Sequence, residues 1–358
     1  MITESDIKQL LKEKTAILIK GVLEKMPIPP QAIYLVGGYG RGEGAWFEDD
    51  KGIHPYNDFD LAVIIDKPLS HNDTESLRKE LAKAVDIKWV DIDYYSLDSL
   101  RRMNPTIHNV DLFEGSSLIY GEDVIKNNNL HLDSREIGKE DLITLYWTRM
   151  WTFLGSWEGP FHKLDAKEAL FFKNQMAKAI LAACDMRLIK QKAYTTSYKK
   201  RADIVLKESI EDKNVYELVC WAINEKMRPS CTEMGAGEMQ ELYFKAKDMF
   251  INSFDYAFGK ESKYFLSPDK TRSYYYLHTK RYIYHVYSLL RYHNSRIARQ
   301  LDVFYSMNYI FHANNKGDID KTKLRKAAKL LKKQRFINHL VCNWDVLRRE
   351  SAAARNNV

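Results

Sequence analysis

Apolar positions recur at helical spacing over residues 4–25, where Ile7, Leu10, Leu11, Ile17 and Leu18 share a stripe, and Pro27-Ile28-Pro29-Pro30 closes the segment. The period then shortens. Apolar runs at 32–36, 59–65 and 87–95 predict strands, with a helix at 73–85 between the last two. Gly115 to Gly121 predicts one more short strand, and Asn127-Asn128-Asn129 a turn at the end of this part. Beyond it the spacing is helical in segments near 139–157, 166–192, 199–210, 212–225, 236–258, 271–293, 295–312 and 321–350, punctuated by Pro160, Pro229 and Pro268. The pattern predicts an α+β chain of two domains: residues 1–135, strands alternating with helices, and residues 136–358, all helical.

The polar residues that interrupt the strand pattern are the informative ones. Gly37-Gly38-Tyr39-Gly40-Arg41-Gly42-Glu43-Gly44 leaves the first strand, and Asp58 and Asp60 open the next long one. Side chains at i and i+2 of a strand share a face, so the two carboxylates project together while Phe59 and Leu61 face the other way. Like charges this close repel, and a divalent cation removes the conflict. Oxygen-only ligands with room for water and phosphate suit Mg²⁺, with Mn²⁺ as its substitute. Two such ions, roughly 3.5–4 Å apart, would serve an attacking hydroxyl and a leaving pyrophosphate.

A third carboxylate is expected from a neighbouring strand. Asp91 and Asp93 both fit, on one face of the 87–95 segment; Asp93 is favoured because Tyr94-Tyr95-Ser96-Leu97 continues the strand beyond it. The glycines permit positive φ and close approach of backbone N–H groups to phosphate oxygens, with Arg41 placed to add charge.

Together these residues resemble the DNA polymerase β-like nucleotidyltransferase superfamily. The pattern is Val36-Gly37-Gly38 with Gly42, then Asp58-Phe59-Asp60, then the Asp91/Asp93 strand. The turn and the string Pro55-Tyr56-Asn57-Asp58-Phe59-Asp60-Leu61 are similar to those of bacterial PII-protein uridylyltransferases. The resemblance covers about residues 30–125. It implies a nucleotidyltransferase-fold domain, a mixed sheet with flanking helices, followed by a helical domain that walls a cleft for nucleotide and acceptor. It implies catalytic Asp58, Asp60 and Asp93 or Asp91, with metal on Asp58, Asp60 and Asp93. Nucleotide contacts would come from Gly37, Gly38, Tyr39, Arg41 and Gly42. The donor is an NTP, with ATP expected, and the acceptor is a hydroxyl on a small molecule or protein. Two features depart from the pattern: Gly38 stands where serine is frequent, and the link from Gly44 to His54 is long, either a flap over the nucleotide or a surface insertion. No regulatory domain of the uridylyltransferases is recognised beyond residue 130, so a PII-like substrate does not follow.

Composition adds three points. A chain of 358 residues is ample for two cores. Cys184, Cys220, Cys231 and Cys342 show no zinc-like spacing and fit a reducing cytoplasm, and no stretch approaches the length of an apolar membrane span. Residues 321–358 hold eleven Lys or Arg against two Asp or Glu, so the whole positive excess of the +7 chain lies there. That segment is a candidate surface for RNA or another polyanion, although Leu324, Ala327, Ala328, Leu331, Phe336, Ile337 and Leu340 predict that one side packs inward.

Two further segments carry candidate chemistry. Residues 272–293 interleave Tyr274, Tyr275, Tyr276, Tyr282, Tyr284, Tyr287 and Tyr292 with Arg272, Arg281 and Arg291, read first as bundle core and second as a stacking surface. His278, His285 and His293 lack metal-site spacing. Lys199, at the start of a basic helix, is a candidate triphosphate contact. Competing functions are an RNA- or tRNA-modifying nucleotidyltransferase, and a nucleotide- or partner-binding module without catalysis.

Overall fold

The computed structural model describes residues 3–49, 52–208, 211–266 and 295–356. The aromatic and basic segment at 272–293 lies outside the described residues. The architecture is α+β. The described residues fall into two compact units, one of Met1–Asp141 with Leu188–Cys231 and one of Leu142–Arg187 with Thr232–Val358. The grouping is discontinuous in sequence, where the hydrophobic pattern places a single boundary near residue 135.

The first unit is built on a four-stranded sheet. Helix α1 (Glu4–Lys25) leads into β1 (Ala32–Val36), a helical turn α2 (Gly37–Gly40), a hairpin of β2 (Ala45–Asp49) and β3 (Gly52–Tyr56), and β4 (Asp58–Ile64). Helix α3 (His71–Ala84) crosses to β5 (Trp89–Tyr95); α4 (Leu97–Arg101), α5 (Ile107–Gly115), β6 (Ser117–Gly121) and α6 (Val124–Asn127) follow. The strand order is β5-β4-β1-β6, with β4 and β5 parallel and β1 antiparallel to both of its neighbours. The parallel pair needs a crossover, and α3 supplies it. Later chain adds α9 (Tyr198–Glu208) and α10 (Lys213–Met227) to this unit, after α7 (Lys139–Gly155) and α8 (Ala166–Lys190).

Alternation along the strands sorts the side chains into two cores. Ile33, Leu35, Phe59, Leu61, Val63, Val90 and Ile92 pack with Leu18 and Val22 of α1 and Leu77 and Leu81 of α3. Ala32, Tyr34, Ala62 and Ile64 face the other way and pack with Leu100, Leu112, Val124 and Ile125. Asp58 and Asp60 keep the parity of Ala62 and Ile64, so they stand on this second face, near its uncovered end. The long link of the sequence is the β2–β3 hairpin, with Ala45 and Trp46 buried and Phe47 stacked on His54 at 5.3 Å.

The second unit holds most of α7 and α8, with α11 (Ala236–Phe258), α12 (Ser262–Leu266) and α13 (Ser295–Ala313). A two-residue hairpin (Asn314–Asn315 with Asp318–Ile319), α14 (Lys321–Lys333) and α15 (Trp344–Arg355) complete it. Its core is aromatic: Tyr146, Phe153, Phe250, Phe254 and Phe311 meet in edge and tilted contacts. The pattern at 321–350 predicts one helix, and the structure makes two. Arg335 adopts φ 62°, its N–H bonds Lys332 O, and that of Phe336 bonds Leu331 O, a left-handed cap that ends α14. Leu324, Ala327, Ala328 and Leu331 pack inward as expected, whereas Leu340 falls past the helix end and is 55% exposed. Among the described residues no helix is long and apolar enough to cross a membrane.

Candidate functional site

Register assembles the site. In the β4–β5 pair Asp60 stands opposite Asp91, and in the β1–β4 pair it stands opposite Val36, the last residue before the glycine turn. Three half-buried carboxylates, Asp58, Asp60 and Asp91, therefore converge, each offering an oxygen within 4.8 Å of the others. Asp93, the favoured third carboxylate of the sequence pattern, stands outside this group. It pairs with Ala62, two residues and roughly 6.6 Å farther along the strand. Three like charges in so small a space disfavour one another, and a divalent cation fits an all-oxygen set of this kind.

The glycine turn abuts the carboxylates. Gly37 has φ 65°, and a Cβ there would lie 2.4 Å from Asp60 Oδ2, so only glycine lets the turn and the carboxylate sit this close. The turn closes on itself through Arg41 N–H to Gly37 O, Gly42 N–H to Tyr39 O and Glu43 N–H to Gly38 O at 2.8 Å. Ser117 of β6 donates to Gly40 O at 2.6 Å.

Tyr39 and Arg41, both expected beside phosphates, have structural engagements. The Tyr39 ring is in the core, 4.3 Å from Phe59 and 5.5 Å from Trp46. Its hydroxyl lies 2.6 Å from Ala45 O and accepts from Tyr56 N–H at 2.9 Å, which fastens the β2–β3 hairpin to the turn. Burial, with Asp58 and Asp60 nearby, drives its pKa far up, so it stays a neutral phenol. The Arg41 guanidinium is buried and donates to Asp111 of α5 at 2.9 Å, with Glu43 3.7 Å away and the Tyr198 ring at 4.7 Å. Burial opposes its charge, and Tyr198 and Asp111 outweigh that, holding its pKa above the ordinary value.

Glu43 is the residue that sequence reasoning passes over. Its buried carboxylate accepts from Ser197 Oγ at 2.7 Å and from the backbone N–H groups of Tyr198 and Lys199 at 2.7 and 3.2 Å. It thus caps α9, satisfying N–H groups that have no partner within the helix. Lys199 takes part through this backbone contact, and its side chain is exposed. The linkage continues: Tyr194 donates to Asp111 at 2.9 Å, and Arg201, 2% exposed, donates to Tyr194 Oη and Thr196 O. The signal was Glu43 itself, an acidic residue inside a glycine string.

Neighbours of the carboxylates shape them further. Asn57, at φ 88°, hydrogen-bonds Asp58 through its amide. The Trp89 indole donates to Asp91 Oδ1 at 2.8 Å, and Arg78, anchored by Glu75 and Ile92 O, comes within 3.8 Å of the same oxygen. The Tyr56 phenol is pushed up by burial and then by Cys231, Glu225 and Asp58, so the end of α10 comes near this edge of the site.

No protein-family model matches this chain, and no curated protein matches it. Among solved structures it is similar to the spectinomycin adenyltransferase AAD(9) from Enterococcus faecialis with ATP and spectinomycin. The two share 13% identity over 68% of this chain and 98% of that one, with a TM-score of 0.42.

Proposed function

We propose that this chain is a metal-dependent nucleotidyltransferase that moves a nucleoside monophosphate from an NTP, ATP being the first to test, to a hydroxyl acceptor. The observation that supports it most is the convergence of Asp58, Asp60 and Asp91 from two parallel strands beside the turn at Gly37. These three carboxylates would hold Mg²⁺ or Mn²⁺. Such ions, when bound, offset the charge of the phosphates and make the acceptor hydroxyl easier to deprotonate.

The chain's own residues supply the rest. The Gly37–Gly42 turn would carry the triphosphate beside Asp60. Asp58 and Asp60, anionic themselves, would meet the α-phosphate only through the ions they hold with Asp91, and the acceptor proton passes to solvent. The acceptor oxygen forms a bond to the α-phosphorus, the bond to the β-phosphate oxygen breaks, and pyrophosphate leaves. Arg41 acts by pinning the turn to Asp111. Asp93 has no part in this reading.

Purified protein with labelled NTPs, Mg²⁺ and pools of small-molecule, protein and RNA acceptors tests it. Asp58→Asn and Asp60→Asn should each cost well over the roughly 10–100-fold typical of an outer-shell change. Unchanged transfer in either variant excludes the assignment. Retained NTP binding with no transfer to any acceptor favours a binding module instead.

RNA as the acceptor is a second reading. Its support is a row of exposed cations on α14: Lys321, Arg325, Lys329 and Lys332. Steps of three or four residues place successive charges about 4.5–6 Å apart along the helix. RNA affinity that falls steeply with salt is its signature.

A further inference from the structure

The third carboxylate owes its orientation to an uncommon neighbour. Trp89 opens β5, an edge strand, and is 38% exposed, a costly place for an indole unless its N–H or its ring is used. It stands opposite Asp58 in the parallel register. It also lies two residues before Asp91, on the same face, and its N–H donates to Asp91 Oδ1 at 2.8 Å. Arg78 Nη2 approaches that same oxygen at 3.8 Å and is held from behind by Glu75 at 2.7 Å and Ile92 O at 2.8 Å. The hydrogen bond and the nearby charge thus fall on one oxygen of Asp91. Among the described residues no hydrogen bond reaches the other, Oδ2.

We propose that Trp89 is a positioning residue: its indole N–H holds Asp91 by Oδ1 so that Oδ2 is presented to a divalent cation shared with Asp58 and Asp60. This rests on the cation-binding reading of the site above. The physical reason is rotational. A carboxylate that is 42% exposed on an edge strand turns freely about its last torsion, and a fixed donor on one oxygen limits that freedom before the ion arrives. Arg78 adds a more distant positive charge on the side of the same oxygen.

Mn²⁺ alone is a sufficient probe, read by the electron spin resonance of the free ion and by tryptophan emission. The chain has seven tryptophans, and the ion quenches the one beside it most. Wild-type protein should bind Mn²⁺ with a saturable loss of emission. Trp89→Phe, which keeps an aromatic ring and removes the N–H, should weaken binding about tenfold or more and abolish that loss. Trp89→Gln, which restores an N–H donor, should recover much of the affinity with no quenching. Thermal midpoints of both variants check the fold, and Trp89 is exposed enough for at least one of them to fold. If Trp89→Phe and Trp89→Gln bind Mn²⁺ as wild type does while Asp60→Asn does not, the positioning role is overturned and the cation site stands. If the wild type binds no Mn²⁺, both fall.

Discussion

The two units bury cations in opposite ways. In the first, Arg41 and Arg201 share an interior with Glu43 and Asp111, two positive groups against two negative ones. In the second, Arg348 and Lys247 donate to backbone carbonyls, with one carboxylate, Asp345, 3.7 Å from Arg348 Nε. Arg348, fully buried, lies 3.7 Å from the Trp157 ring centre and donates to Leu154 O, Trp157 O and Gly159 O. Lys247 donates to Phe311 O at 2.6 Å and Asn314 O at 2.5 Å, the carbonyls where α13 ends. Carboxylates reach across sequence and tie distant segments to the glycine turn. Carbonyls at helix ends carry partial negative charge and need a cap, so there a cation serves the helix itself. The candidate site follows neither pattern, because it gathers three like charges, which is the arrangement a bound cation stabilises.

The largest effect should come from breaking the carbonyl-capping pattern. Arg348→Ala strands two buried carbonyls and one half-buried one and should cost about 3–5 kcal/mol, read from the denaturant midpoint. Arg348→Lys should recover only part, since an ammonium lacks the planar fork. An equal midpoint for Arg348→Ala and wild type would show that the carbonyls find other partners.

Lys247 sharpens the comparison through pH. Burial lowers its pKa to about 7, with Asp248 raising and Lys323 lowering it further, and neighbouring His312 is held near 3 by burial and by both lysines. The folded pKa lies below the unfolded value. Between about pH 7 and the ordinary lysine range the unfolded chain therefore holds one more proton, and the folded state gains about 1.4 kcal/mol per pH unit from this group. That gain is complete above the unfolded pKa and is lost as pH falls through 7. The slope of stability against pH over 7–10 should be shallower by this amount in Lys247→Met. Parallel curves would mean that Lys247 stays charged throughout.

Breaking the carboxylate-paired network should cost less. Glu43→Ala leaves the Ser197, Tyr198 and Lys199 donors unmatched at the head of α9, a loss of about 1–3 kcal/mol. Hydrogen exchange should quicken in the first turn of that helix and in the 37–44 turn, with Glu43→Gln intermediate. Protection that stays at wild-type level in Glu43→Ala would separate the turn from α9.

The exposed row on α14 should matter least to stability. Reversing Arg325 and Lys329 to glutamate should shift the midpoint by no more than about 0.5 kcal/mol. RNA affinity, where present, should fall with the charge. Affinity unchanged by the reversal would place the contact elsewhere.

Much of the site was legible in local pattern. Asp58 and Asp60 share a face because strands alternate, and Phe59 and Leu61 are buried on the other face for the same reason. Gly37 reads as a turn and proves to be one that only glycine fills. The third carboxylate was narrowed to Asp91 or Asp93, with Asp93 favoured, whereas the group that forms contains Asp91; the two have the same parity, so local pattern could not separate them. Which of them meets Asp60 depends on how β4 and β5 slide past one another, and no residue within β5 states that. Tyr39 looked like a phosphate neighbour within its string, and the hairpin that buries it comes later in the chain.

Alternation, glycine conformation and charge composition act within a few residues, so the sequence by itself determined the strands, the paired aspartates, the glycine turn and the basic helix. Register and long-range pairing act between segments. Asp60 meeting Asp91, Arg41 meeting Asp111 seventy residues on, and Glu43 capping a helix more than 150 residues away were decided only by the tertiary structure. The physical reason is that each of these contacts draws its energy from burial shared by two segments, and neither segment carries it alone.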